Sequence, residues 1–182
     1  MEGLRRADES TPAMNSATVP PPGLSICLVS NSGITEGLIQ RLTRSQWDHA
    51  RMHMPDGSMW QSCPPGVSNT PNFTPDPNET ALYFTLDTDP TPEQIASICS
   101  FWRSIDGQPY SYKGDLAFVT GGDPAVDPAP GEWFCSEAVF ASLLAANIRL
   151  LNCPYPWLVN PGDIAWSTII SALSQTSNNT NP

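Results

Sequence analysis

Apolar residues fall in short runs along this chain, and the spacing inside each run tells strands from helices. Leu24 to Ser30 is mostly apolar and of strand length, and Asn31-Ser32-Gly33 closes it as a turn. Ile34, Leu38, Ile39 and Leu42 follow at helical spacing. Gln46 to Met54 reads as extended, Pro55-Asp56-Gly57-Ser58 as a hairpin turn, and Met59 to Ser62 as the returning strand. Pro64 to Glu79 reads as a long Pro-rich loop, and Ala81 to Leu86 alternates like another strand.

The second half is helical in pattern. Thr91 with Gln94 forms a capping-box signature and Pro92 suits a first turn, so a helix starts there. Ile95, Ile98, Cys99, Trp102 and Ile105 form its apolar stripe, which makes Cys99 a core residue, and Gly107 stops it. An irregular stretch with Gly121-Gly122, Pro124, Pro128 and Pro130 precedes a helix from Ser136 to about Asn147 that buries Val139, Phe140, Leu143 and Leu144. A last helix near Asp163 is expected to bury Ile164, Trp166, Ile169, Ile170 and Leu173. The sum is an α+β fold, a small antiparallel sheet packed against helices.

Composition bounds this picture. The 182 residues suit one domain, placed at 23–173, between a polar tail at 1–22 ending in Pro20-Pro21-Pro22 and a Ser/Thr/Asn-rich tail at 174–182. A net charge of -10 disfavours nucleic acid as a partner. No apolar run reaches the ~18 residues of a membrane helix, and the first residues carry Arg5, Arg6, Asp8 and Glu9 rather than a secretion signal, so a cytoplasmic location is the default. The five cysteines (Cys27, Cys63, Cys99, Cys135 and Cys153) are widely spaced without a CxxC pair, as free thiols are in a reducing compartment.

One of them stands apart. Cys135 opens a predicted helix after a Gly/Pro-rich loop. The first-turn amides there lack internal partners, and the helix dipole favours negative charge. That setting promotes a thiolate and can hold the oxyanion of a tetrahedral intermediate. The competing reading is a core thiol beneath Trp133 and Phe134, and the local pattern leaves both open. A base must come from His49 or His53, the two histidines of the chain. On a strand they share a face but stand about 13 Å apart, too far to ligate one metal. No metal or other cofactor is expected.

Three stretches, read together, resemble the permuted NlpC/P60 group of papain-like enzymes, close to its YiiX/YaeF-like branch. They are Ile39-Gln40-Arg41-Leu42-Thr43-Arg44-Ser45-Gln46-Trp47-Asp48-His49, Gly107-Gln108-Pro109-Tyr110, and Trp133-Phe134-Cys135-Ser136-Glu137-Ala138-Val139. Asn160-Pro161-Gly162-Asp163-Ile164 is a weaker fourth match. They run in family order from about Leu24 to Ile170. The resemblance implies a circularly permuted papain-like fold, Cys135 as nucleophile and His49 as general base. It also implies a third polar residue that orients the imidazole, often Glu in this branch. Here Gln61 or, one step on, Ser62 takes that place, and the offset to Gly66-Val67 favours Gln61. Hairpin register alone does not decide, because a slip of one residue reverses the face. Gly23-Leu24-Ser25 also departs from the Gly-Asp that often begins the family's first strand. The implied activity is hydrolysis of an amide or ester bond in a peptide, a peptidoglycan peptide or a lipid acyl group, through an acyl-enzyme. The alternatives are an acyltransferase with the same thioester, or a binding module whose site has decayed.

Overall fold

The computed structural model describes residues 23–30, 45–76, 79–114 and 126–173. The expected helix from Ile34 to Leu42 and the two tails lie outside them. Among the described residues six strands build one antiparallel sheet: β1 (Ser25–Ser30), β2 (His49–His53), β3 (Met59–Cys63), β4 (Gly66–Thr70), β5 (Thr80–Leu86) and β6 (Ile170–Ala172), in the spatial order β4-β3-β2-β1-β5-β6. Helix α1 (Pro92–Ile105), helix α2 (Cys135–Ala145) and the short helix α3 (Pro161–Ala165) complete an α+β fold. No described helix is long and apolar enough to cross a membrane.

The alternation of strand residues divides the sheet into two faces. Ile26 and Leu28 of β1, Ala50 and Met52 of β2 and Trp60 of β3 join Ile98 and Trp102 of α1 and Val139, Phe140 and Leu143 of α2 in the main core. Trp60 stacks on Trp102 with ring centroids 5.8 Å apart. Cys27, Val29, Met59, Ala81 and Tyr83 form a smaller cluster on the opposite face. Helix α2 is buried from Cys135 through Leu143, and the polar residues in that stretch, Ser136, Glu137 and Ser142, are each hydrogen-bonded. Helix α1 starts as its sequence foretells: Thr91 Oγ1 accepts from the Gln94 amide, and the Gln94 side chain accepts from the Thr91 amide at 2.9 Å.

Three expectations need correction. The stretch from Pro64 is not all loop. Pro64-Pro65 is a two-residue turn between the paired residues Cys63 and Gly66, and β4 follows as an edge strand. The prolines sit in the turn, where no ladder N–H is needed, so they did not forbid the strand. Gly66 is required there, since a Cβ would strike the Gln108 carbonyl of the segment lying alongside. The last predicted helix is only five residues long; Ile170 then enters β6, and Trp166 is 83% exposed. Its apolar spacing suited a helix, but the open edge of β5 offered backbone partners that the spacing does not register. Cys99 is only partly buried, on the flank of the α1 stripe.

Candidate active site

Strand β2 carries His49 at its first position. Its ladder with β3 runs from His53↔Met59 to Arg51↔Gln61, and beyond that pair β3 stays with β4 alone. His49 therefore stands where β2 and β3 part. Gln61 reaches diagonally across this opening, and its Oε1 lies 3.1 Å from His49 Nε2. Of the two residues that the sequence left open, Gln61 meets the imidazole. Ser62 faces the other way, as alternation demands, and its hydroxyl donates to the Trp133 carbonyl at 2.6 Å.

Two further side chains converge on Gln61. Arg51 is two residues along β2 from His49 and shares its face. Its Nε donates to Gln61 Oε1 at 2.9 Å, and its Nη1 donates to Glu79 Oε1 at 2.7 Å. The side chains of this ion pair are only 13% and 10% exposed. The Arg51 guanidinium also lies 5.6 Å from the Phe73 ring centroid. Burial is the main force on the His49 ring. With the nearby Arg51 charge it lowers the pKa from 6.5 to about 4, against a smaller opposite pull from the Gln61 bond. The ring is neutral at pH 7.

Helix α2 packs against β2 and β3, and Cys135 is its first residue. The chain reaches that point along a hydrogen-bonded track. The Trp133 amide donates to the Pro109 carbonyl at 3.0 Å, and the Ser111 amide donates to the Trp133 carbonyl at 3.1 Å. Trp133 Nε1 donates to Gln108 Oε1 at 2.6 Å. The Gly107-Gln108-Pro109-Tyr110 segment thus docks the Trp133 strand against β4 and aims the helix start. The Phe134 amide donates to Glu137 Oε2 at 3.3 Å, which leaves the carboxylate closing the helix start from within. Ser136 donates to the Val159 carbonyl at 2.7 Å, and Asn160 caps α3 through the Asp163 amide at 3.0 Å. This short helix packs near the entry to β2: a Cβ on Gly162 would collide with Ser45. An open groove of about 340 Å³, lined by Ser45, Gln46, Trp47, Gly162, Ala165 and Trp166, flanks that entry.

The other titratable residues fall elsewhere. His53 lies at the far end of β2, buried edge-on to Tyr83, with ring centroids 6.5 Å apart. Burial also lowers its pKa. Burial pushes the Cys27 thiol up to about 12 and raises Cys63 as well. None of the five cysteines forms a disulfide. Among the described residues, no three His, Cys, Asp or Glu side chains gather into a set that could hold a metal ion. Sequence reasoning passed over Arg51 and Glu79. A charged residue two along a strand from His49 was a usable sign for Arg51; Glu79, 28 residues from Arg51 along the chain, left none.

No family model matches the chain, and no curated protein matches it. Among solved structures it is similar to the crystal structure of the metalloprotein YiiX from Escherichia coli O157:H7, with a TM-score of 0.62 and 15% sequence identity. The match covers 86% of this chain and 97% of that one. At that identity the likeness is one of fold.

Proposed function

We propose that the protein is a thiol-dependent hydrolase of the permuted papain-like kind, cleaving an amide or ester bond through an acyl-enzyme on Cys135. The observation that carries this reading is the bond between His49 Nε2 and Gln61 Oε1, which leaves a held, neutral imidazole at the open end of the sheet against which the Cys135 helix packs. The body of α2 covers the Ala50–Met52 face. His49 alternates onto the other face, at the strand end where β3 has left β2, and the reaction requires the Cys135 thiol to reach the imidazole around that end. In the reaction His49 takes the Cys135 proton as sulfur attacks the carbonyl carbon. The proton passes to the leaving nitrogen or oxygen as its bond to carbon breaks. Water then attacks the thioester, gives its proton to His49, and the thiol is restored. The positive end of the α2 dipole would favour the oxyanion.

YiiX is called a metalloprotein. The residues here do not fit a metal at His49: a guanidinium stands beside the imidazole, held to the same amide oxygen, and no further carboxylate, thiol or imidazole joins it into a ligand set among the described residues.

Iodoacetamide near pH 7 tests the reading. Cys135, though itself buried, should alkylate first, because its place at the start of α2 favours the thiolate whereas burial raises the pKa of Cys27 and Cys63. Equal labelling of all five cysteines would sink the proposal. A bifunctional alkylator such as 1,3-dibromoacetone should bridge Cys135 to His49; failure to bridge, with Cys135 still reactive, would remove His49 from the mechanism. Trapping the acyl group from a panel of esters, with and without an added amine, separates a hydrolase from a transferase.

A further inference from the structure

The contacts of Gln61 settle which nitrogen of His49 carries the proton. The amide oxygen and nitrogen of a glutamine are nearly isosteric, and only their partners tell them apart. Arg51 Nε–H can only donate, so the Gln61 atom 2.9 Å from it must be the oxygen. The same atom lies 3.1 Å from His49 Nε2. An oxygen that can only accept requires a proton on Nε2. In the neutral ring Nδ1 is then the bare nitrogen, the one able to take a proton.

We infer that Arg51, held in place by Glu79, is a positioning residue: it locks the Gln61 amide with its oxygen toward His49 and so keeps the imidazole in the Nε2–H form with Nδ1 free as the base. A carboxylate in place of Gln61 would need no such help, because both of its oxygens accept. An amide has a wrong way round. Turned over, it would offer N–H to Nε2, draw the proton to Nδ1 and disable the base. Arg51 removes that option with one hydrogen bond, and Glu79 keeps Arg51 from swinging to solvent. The Phe73 ring beneath the guanidinium limits it further. This device also gives the segment after β4 a role, since Phe73 and Glu79 both come from it. The catalytic consequence rests on the proposed role of His49, whereas the tautomer does not.

The experiment reads the two separately. Imidazole nitrogen NMR of the wild-type chain should show His49 as a single Nε2–H tautomer. In Arg51→Met combined with Glu79→Gln, which leaves no lone buried charge, the Nδ1–H tautomer should appear beside it, and Cys135 alkylation should fall severalfold. Arg51→Lys is the milder variant: it keeps the ion pair with Glu79, and so the fold, but its single ammonium nitrogen cannot stand at both the Nε and the Nη1 positions of the guanidinium fork. It too should show the second tautomer. Adding Gln61→Glu to the Arg51 variants should return His49 to the Nε2–H form and restore labelling. A single Nε2–H tautomer that survives both Arg51 variants would overturn the inference, as would a Gln61→Glu change that restores nothing. If Cys135 is unreactive in the wild type while the tautomer responds to Arg51, the hydrolase reading fails and the positioning role stands.

Discussion

His49 and His53 sit four residues apart on the same face of one strand, both sheltered, both with the imidazole held neutral by burial. Their surroundings differ in kind. His53 lies at the closed end of the β2–β3 ladder, paired with Met59 and edge-on to Tyr83. His49 lies past the last β2–β3 pair, where a gap admits a side chain from each neighbour, and Gln61, Arg51 and Glu79 fill it. Residue type and burial are thus shared. His53 too has an Nδ1 without a hydrogen-bond partner among the described residues; the sheet's opening gives His49 the amide oxygen that fixes its proton on Nε2.

The strongest way to break this comparison is to remove each ring in turn. His49→Ala should lower turnover of a cleavable ester, or the alkylation rate of Cys135, by ~10²–10⁴-fold, the usual worth of a general base. His53→Ala should leave that rate unchanged and cost folding stability instead. Equal losses of rate would mean that both rings act only by packing.

Acid sharpens the comparison by a smaller amount. The folded pKa of His49, about 4, lies below its ordinary 6.5, so the unfolded chain takes up the proton first as the pH falls. Its neutral burial therefore leaves stability intact above about pH 6.5, and stability declines as the pH drops toward 4. The loss is at most ~3 kcal/mol, and less to the extent that the ring keeps some contact with solvent. His53 contributes in the same direction. Urea midpoints taken across this window should fall with pH for the wild type and fall less for His49→Phe. An identical slope in the two proteins would contradict the burial of the ring.

The smallest effect separates the neighbours Gln61 and Ser62. Ser62→Ala loses one hydrogen bond to the Trp133 carbonyl, a cost of ~1 kcal/mol in stability, and should spare the reactivity of Cys135. Gln61→Ala should slow Cys135 alkylation severalfold, and it should also cost ~1–3 kcal/mol, because the sheltered Arg51 Nε–H and His49 Nε2–H lose their acceptor. If Ser62→Ala proves the more damaging to reactivity, the two roles are exchanged.

Much of this arrangement is legible in the sequence. Caps and turns are local chemistry, so Thr91 with Gln94, Pro55 to Ser58, and the helix start at Cys135 can all be read from neighbouring residues. Where local signals mislead, a nonlocal partner has prevailed. The segment at Ile170 is strand because β5 has an edge to fill, and Gly66 to Thr70 is strand because β3 does. The choice between Gln61 and Ser62 depends on register, and a hairpin's register is set by the whole sheet.

What the chain's residues determined by themselves is the inventory and its local geometry: a cysteine at a helix start, a histidine heading a strand, a hairpin that returns a glutamine to its level. The tertiary structure alone decided that β3 leaves β2 before His49, and that Arg51 closes on Glu79 across 28 residues of chain. The physical reason is that capping and turn energies act within a few residues. An opening in a sheet, and the buried charge that fits it, exist only after distant segments have packed.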